Sequence, residues 1–260
     1  MRGSSRIARL SGAATDVGRV RSHNEDTFLL RPDLGLYLVA DGMGGHHAGD
    51  VASAMVRLSM TNFFEVTQRA RWADEFTTAE DRHLVKPAQR LAAAIRKANL
   101  DVYTASTDHI GAWGMGSTVV AAHLPDDSDD MFVAHVGDSR CYRIRAGKLA
   151  LLTRDHSLVN EALALDPTMT PDDLARLPHN IITRALGMEP TVQVDVGTVD
   201  VRDGDTFLLC SDGLSGLLND SEIVEAITLV DDASEVCDLL VAMANDAGGL
   251  DNITALALRV

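Results

Sequence analysis

The sequence contains few cysteines and no long apolar run. Its three cysteines, Cys141, Cys210 and Cys237, have no Cys-x-x-Cys spacing, and their odd number leaves no complete disulfide framework. No apolar stretch reaches the roughly 18 residues that a membrane-spanning helix needs, and residues 1–10 lack the apolar core of a signal peptide. We therefore expect a cytoplasmic protein with reduced, buried cysteines and no membrane partner.

Basic residues are also scarce, since 38 acidic residues face 23 basic ones and the formal net charge is −15. Such a charge repels nucleic-acid backbones and anionic lipid headgroups, so we expect no nucleic-acid partner. Hydrophobic residues, in contrast, make up 46% of the 260 residues, which suffices for one large core. We predict a single domain over residues 11–260, preceded by a disordered segment over residues 1–10.

Hydrophobic periodicity predicts both strands and helices. Residues 34–40 form an apolar run that we interpret as a buried strand, ended by the glycine-rich stretch that begins at Asp41. Two helices are predicted next, the second beginning near Pro87. Short strand patterns then predict an antiparallel meander. They cover residues 117–124, 131–136, 141–145 and 149–153. Strands and helices without regular β-α-β alternation predict an α+β class with layered antiparallel sheets.

Three aspartates share one local setting, beside a strongly apolar strand and within a glycine-containing turn. They are Asp41, Asp212 and Asp251. Carboxylates at the ends of buried strands are costly to desolvate, so several together require a compensating cation. Oxygen ligands select hard ions such as Mg²⁺ or Mn²⁺. One Asp-Gly pair is usually an ordinary turn, whereas the three aspartates together indicate a metal site.

Other hydrolytic designs are missing from the sequence. A Cys-x5-Arg phosphate loop needs an arginine six residues after a cysteine, and Gly147, Gly216 and Met243 stand at those positions. A Gly-x-Ser-x-Gly elbow fails at Leu217, and a Walker loop fails at Tyr142. The chemistry that remains is hydrolysis by metal-activated water without a covalent intermediate.

Ordered motifs run from about residue 11 to the C-terminus. They are TDVGRVRSHNED (15–26), VADGMGGH (39–46), GMGST (114–118), HVGDSR (135–140), DHSL (155–158), IITRALG (181–187), LCSDGL (209–214) and GGLDNIT (248–254). In this order they resemble the signatures of bacterial PP2C (PPM-family) protein serine/threonine phosphatases. The resemblance implies a four-layer α-β-β-α sandwich of two antiparallel sheets flanked by helices. It also implies a site in the cleft where the loops of the sheets meet.

The resemblance assigns the metal ligands. Asp41 is expected to bridge two Mn²⁺ or Mg²⁺ ions, with the Gly42 carbonyl on one ion and Asp212 and Asp251 completing the other. Asp138 matches the aspartate that helps Asp212 to hold a third, looser ion. The implied cofactor is therefore two, or with Asp138 three, divalent cations per chain.

Further residues acquire roles through the same resemblance. Arg21 matches the arginine that binds the phosphate, which suits its planar fork of donors, although an arginine near an acidic loop is more commonly a surface ion pair. Glu25 and Asp26 match the pair that orients metal-bound waters. Met43 stands where animal relatives have a histidine that protonates the leaving group. The acid is then either His46 or a metal-bound water.

Residues 155–187 correspond to the mobile flap of the family, which borders the site and influences substrate choice. The implied substrates are phosphoserine and phosphothreonine proteins, the implied opponent is a cognate Ser/Thr kinase, and we expect a monomer. Two alternatives stay open. One is a phosphatase-like module that binds phosphoproteins without turnover, which loss of the metal aspartates or Arg21 would indicate, and the other is an enzyme for small phosphate esters.

Overall fold

The computed structural model describes residues 10–44, 48–68, 76–108, 114–126, 128–178 and 180–260. The segment predicted to be disordered lies outside the described residues except for Leu10, and His46 lies outside them as well. Two antiparallel sheets pack face to face, with helices on their outer faces. The predicted α+β sandwich is thus confirmed.

The elements follow each other in mixed order along the chain. Within the described residues the strands are β1 (Ser11–Asp16), β2 (Asp26–Arg31), β3 (Leu36–Met43), β4 (Gly116–Ser117), β5 (Val119–His123), β6 (Asp130–Val136), β7 (Arg140–Arg145), β8 (Lys148–Leu151), β9 (Asp195–Asp200), β10 (Thr206–Cys210) and β11 (Ile253–Arg259). The α-helices are α1 (Ala48–Thr67), α2 (Lys86–Asp108), α3 (Leu158–Leu165), α4 (Pro171–Leu174), α5 (Asp212–Ser215), α6 (Asp220–Leu229) and α7 (Ala233–Asp246).

Each sheet carries its own pair of covering helices. The first sheet has the order β1-β11-β10-β7-β8, with α6 and α7 packed on it. The second has the order β2-β3-β5-β6-β9, with β4 paired to the end of β3 and with α1 and α2 packed on it. Neighbouring strands are antiparallel throughout both sheets.

The helices dock because their apolar residues recur on one side. In α1 the buried residues Ala52, Val56, Met60 and Phe64 follow each other at intervals of four, which places them in one stripe facing the second sheet. The inner faces of the two sheets meet in a separate apolar layer. Its largest fully buried members include Tyr37 and Phe207. The cleft at the edge of the sheets is therefore held by two sheets whose mutual packing is fixed by a buried apolar core.

The predicted antiparallel meander is wrong at one step. β6 belongs to the second sheet and β7 to the first, so the chain crosses between sheets at residues 137–139. Gly137 makes this turn possible, because its φ of +106° is strained for other residues and a Cβ there would lie 2.6 Å from the side chain of Thr118. The crossing places Asp138 where the two sheets meet.

The strand predicted over residues 34–40 also ends later than expected, because β3 continues through Asp41 to Met43. Gly42 and Met43 pair with Ser117 and Gly116 of β4, which prolongs the ladder. A Cβ on Gly42 would lie 2.0 Å from the carbonyl oxygen of Gly49, so only glycine fits this position. The glycine is thus a packing requirement within a strand.

Residues 155–187 lie outside the two sheets, as predicted, and contain a helix that the sequence pattern missed. That helix is α3, and the hydroxyl of Ser157 caps its N-terminus by accepting from the backbone N–H of Asn160. All three cysteines are buried and unpaired, in agreement with the prediction. In the part of the chain that the structure describes, no helix is both long and apolar enough to cross a bilayer.

Candidate metal centre in the cleft between the sheets

Four aspartates converge at one end of the sandwich, each delivered by the end of a strand. Asp41 lies near the end of β3, Asp212 directly follows the loop after β10, and Asp251 precedes β11. Asp138 comes from the crossing between the sheets. The carboxylates of Asp138, Asp212 and Asp251 all lie close enough to Asp41 to raise its pKa. The predicted ligands are therefore brought together.

Burial and mutual repulsion make the ionised form of these carboxyl groups unfavourable. Burial raises the pKa of Asp41 well above its ordinary value, and neighbouring carboxylates, led by Asp26 and Asp212, raise it further. Burial followed by the charge of Asp212 raises the pKa of Asp138 to about 7. Burial raises the pKa of Asp26 to about 7 as well, against the lowering effect of two hydroxyl donors. A counter-cation relieves this repulsion.

The oxygen atoms at the centre fit a divalent cation. Within the described residues, one carboxylate oxygen each of Asp26, Asp138 and Asp212 is shielded from solvent without a hydrogen-bond partner. Buried carboxylate oxygens need a hydrogen bond or a metal ion to offset their desolvation. Because the donors are all oxygens, they suit Mg²⁺ or Mn²⁺ better than softer ions.

Arg21 lies at the solvent edge of the cluster. Its Nη2 donates to Oδ2 of Asp251 at 2.8 Å, and its side chain is 53% exposed. The hydrogen bond to Asp251 raises the pKa of Arg21, so the guanidinium stays charged. The structure thus places Arg21 beside a predicted metal ligand.

Glu25 and Asp26 lie next to the cluster in different surroundings. Burial raises the pKa of the Glu25 carboxyl, while Arg21 and the backbone N–H of Gly49 at the start of α1 lower it. Asp26 is buried and stands opposite Asp41 in the β2–β3 ladder. Its Oδ2 accepts from the hydroxyls of Ser211 at 2.7 Å and Thr254 at 2.6 Å. Asp26 thereby joins the second sheet to the first.

Thr118 is a site residue that sequence reasoning missed. Its hydroxyl accepts from the backbone N–H of Asp41 at 3.1 Å and shares a hydrogen bond of 2.7 Å with the hydroxyl of Ser139. Its own backbone N–H donates to the Asp41 carbonyl at 2.8 Å. Because Ser139 follows Asp138, Thr118 connects the backbone of one predicted ligand, Asp41, to the side chain that follows another. Its place in the GMGST (114–118) motif was the available signal.

Asn252 is a second residue that sequence reasoning missed. Its Oδ1 accepts from the backbone N–H of Glu25 at 2.8 Å, and its Nδ2 donates to the carbonyls of Val17 and His23, both at 2.9 Å. One side chain thus fixes the loop that carries Arg21 against the loop that carries Asp251. Its signal in the sequence is its position directly after a predicted ligand.

A histidine cluster at the root of the predicted flap has a different character. The rings of His135 and His156 stack at 4.7 Å, and Asp195 lies 3.5 Å from Nε2 of His156. The guanidinium of Arg184 donates to Asp195 at 2.8 Å and lies equally close to His156. The positively charged guanidinium of Arg184 already occupies this cluster, and the two imidazole rings are stacked in parallel. This arrangement does not favour a metal ion. The Nε2–H of His135 donates to the Arg154 carbonyl, 2.8 Å away.

The family of the chain follows from comparison with known proteins. Residues 18–248 match the model of the family described as Protein phosphatase 2C. The chain is 38% identical over 248 residues to serine/threonine phosphatase stp of Listeria monocytogenes, which covers 94% of this chain and 93% of that protein.

Solved structures agree with this match. The serine/threonine phosphatase PstP/Ppp of Mycobacterium tuberculosis superposes with a TM-score of 0.80 at 31% identity, covering 96% of this chain and 97% of that one. The catalytic domain of PstP in complex with two manganese ions superposes with a TM-score of 0.78 at 31% identity, covering 96% of both chains. Together with the convergent aspartates, these matches show that the chain belongs to the protein phosphatase 2C family.

Proposed function

We propose that the cleft between the sheets is the catalytic centre of a metal-dependent protein serine/threonine phosphatase. The chain hydrolyses phosphoserine and phosphothreonine esters to the free hydroxyl and inorganic phosphate, and it depends on Mn²⁺ or Mg²⁺. The observation that carries this proposal is the convergence of Asp41, Asp138, Asp212 and Asp251 beside Arg21, in a member of the protein phosphatase 2C family.

The ligand roles are assigned as the sequence predicted. Asp41, the Gly42 carbonyl, Asp212 and Asp251 would together hold two divalent cations. Asp138 would join Asp212 in holding a third cation. The two manganese ions of the PstP catalytic domain and the unpartnered oxygens of Asp138 and Asp212 support this assignment.

Bound divalent cations lower the pKa of a water molecule toward neutrality and neutralise phosphate oxygens. The protein side chains do the remaining work. Arg21 holds the phosphate by hydrogen bonds from its planar fork, at a distance from the cluster that its bond to Asp251 sets. Glu25 and Asp26 accept hydrogen bonds from ordered waters and so orient them, while Ser211 and Thr254 keep Asp26 in place.

The leaving alkoxide must receive a proton. Within the described residues of the cleft, Met43 occupies the position after Gly42 and has no titratable group. Either a water or His46 then serves as the acid, and we favour the water. Replacement of His46 by alanine is expected to lower turnover of a phosphoserine peptide by less than about 100-fold, the scale of general acid catalysis.

We further assign a cytoplasmic location, a monomeric state and a cognate Ser/Thr protein kinase as opponent. The three unpaired, buried thiols support a reducing compartment. The net charge of −15 supports phosphoproteins rather than nucleic acids as substrates. Sedimentation at micromolar concentration tests the monomer, and a species of twice the chain mass would contradict it.

Phosphate release from phosphoserine and phosphothreonine peptides tests the proposed activity. EDTA-treated protein is expected to be inactive and to recover turnover when Mn²⁺ or Mg²⁺ is added. Tight binding of the peptides without release, in folded and metal-loaded protein, would instead identify a phosphoprotein-binding module. Turnover confined to small phosphate esters would identify the second alternative.

A further inference from the structure

Two large aliphatic side chains lie exposed beside the charged residues of the site. Val20 is 66% exposed and directly precedes Arg21, and Leu250 is 61% exposed and directly precedes Asp251. Burying an aliphatic side chain of this size is favourable, so both offer apolar surface that a ligand can cover. Their sequence neighbours are the residues assigned to phosphate and metal binding.

The loops that carry these two side chains run in register. The backbone N–H of Arg19 donates to the carbonyl of Gly249 at 2.7 Å, and the side chain of Arg21 donates to Asp251 at 2.8 Å. These two contacts bracket Val20 on one loop and Leu250 on the other. The two aliphatic residues therefore hold matching positions on adjacent loops, each directly before a member of the Arg21–Asp251 pair.

Both loops are fixed in place by further hydrogen bonds. Asn252 donates to the carbonyls of Val17 and His23, on either side of the segment that contains Val20. The Asp16 carboxylate accepts from the backbone N–H of Gly18 at 2.9 Å and from the Asn245 side chain at 3.1 Å. A fixed apolar surface loses little conformational entropy when a ligand covers it, so it can discriminate between ligands.

We propose that Val20 and Leu250 form an apolar ledge that contacts aliphatic side chains flanking the phosphorylated residue of the substrate. The inference rests on the proposed function, because it requires Arg21 to hold the phosphate. Neighbouring Cα atoms in a peptide are about 3.8 Å apart. A phosphorylated residue held at Arg21 therefore brings the side chains that flank it within reach of Val20 and Leu250. The enzyme therefore prefers phosphothreonine between aliphatic residues.

Two peptides of equal length and net charge test the ledge. One carries leucine on both sides of phosphothreonine and the other carries serine, so the long-range electrostatic interaction with the acidic protein is the same for both. For wild-type protein with Mn²⁺, kcat/KM is expected to be about fivefold to tenfold higher for the leucine peptide. In the double variant Val20→Ser, Leu250→Ser this ratio is expected to fall to about one.

Leu229→Ser provides a matched control. Leu229 is 75% exposed. The carbonyl of nearby Ile227 accepts a hydrogen bond from the side chain of Arg259, which lies at the end of β11 remote from Asp251, so Leu229 is far from the ledge. In Leu229→Ser, the ratio of kcat/KM for the leucine peptide to kcat/KM for the serine peptide is expected to equal that of the wild type. Because each ratio is taken within one protein, a general change in activity cancels.

A charge-bearing variant supplies an independent readout. Leu250→Glu is expected to favour a peptide with lysine on both sides of phosphothreonine over the leucine peptide, since the new carboxylate would face the flanking residues. Equal kcat/KM for the leucine and serine peptides in the wild type, or an unchanged ratio in the double variant, would overturn the ledge while leaving the phosphatase intact. Inactivity of metal-loaded wild type toward every peptide would overturn the proposed function as well.

Discussion

The guanidinium of Arg21 donates to the carboxylate of Asp251 at 2.8 Å, although 230 residues separate them in the sequence. Both side chains are substantially exposed, so this ion pair contributes little to stability. Its effect is positional, because it holds Arg21, the proposed phosphate-binding residue, beside Asp251, a proposed metal ligand. The first and last loops of the domain meet through this contact.

Arg21→Ala is expected to lower kcat/KM for a phosphothreonine peptide by roughly 10- to 100-fold, because charge-assisted hydrogen bonds to the phosphate are lost. Steady-state kinetics with saturating Mn²⁺ measure this effect. Arg19→Ala is the control, since Arg19 is a neighbouring exposed arginine whose contact to Gly249 is made by its backbone. Equal losses in the two variants would show that Arg21 acts only through general charge.

Gly42→Ala is expected to destabilise the fold by about 3 kcal/mol, because the new Cβ would lie 2.0 Å from the Gly49 carbonyl oxygen and the backbones must separate. Urea unfolding measures the free energy. Gly197→Ala is the matched control in β9, where a Cβ meets no atom within 4 Å. If both variants unfolded at the wild-type midpoint, the close approach at Gly42 would be refuted.

Thr118→Val is expected to weaken Mn²⁺ binding by about 10-fold, because the backbone of Asp41 and the hydroxyl of Ser139 lose their shared partner. The unsatisfied groups should also lower the free energy of unfolding by about 1 to 3 kcal/mol. Calorimetric titration with Mn²⁺ checks the first effect, and Thr118→Ser, which keeps the hydroxyl, is the control. Wild-type Mn²⁺ affinity in Thr118→Val would contradict the linking role.

His135 is expected to make the fold sensitive to mild acid. Burial lowers its pKa below the ordinary value of 6.5, so the unfolded chain takes up a proton at a pH where the folded chain stays neutral. The stability that this neutral histidine contributes is present above pH 6.5 and is lost as the pH falls through the lowered pKa.

His135→Gln should reduce the loss of unfolding free energy between pH 7.5 and pH 5, since glutamine does not titrate and its amide can donate to the Arg154 carbonyl. Urea titrations at both pH values measure the difference. The exposed His83, replaced in the same way, serves as control and should retain the wild-type slope. An identical pH dependence in His135→Gln and wild type would remove His135 as the cause.

The sequence alone pointed to three of the four convergent aspartates because their signal is local. Asp41, Asp212 and Asp251 each follow or precede an apolar strand within a glycine-containing turn. Asp138 lacks such a signal and was assigned only through the family resemblance. Its position depends on the crossing between sheets, and alternating strand patterns are the same in either sheet, so they cannot reveal which sheet a strand joins.

Residues that hold the site together could not be found from local pattern. Thr118 bonds a residue 77 positions away, and Asn252 bonds one 227 positions away. Hydroxyl and amide side chains are common in loops, and only the packed fold determines which backbone groups they meet. The same limit explains why the strand β3 was predicted to end before Asp41, since its continuation depends on pairing with the distant β4.

Metal-dependent phosphate release by Asp212 variants tests the central claim most directly. EDTA-treated wild type and Asp231→Ala, an exposed aspartate between α6 and α7, are expected to hydrolyse a phosphothreonine peptide once Mn²⁺ is added. Asp212→Ala, folded as judged by circular dichroism, is expected to remain roughly 100-fold or more below them because a proposed ligand of the metal centre is gone. Turnover that persists in EDTA, or Mn²⁺-dependent turnover at the wild-type rate in Asp212→Ala, would contradict the account.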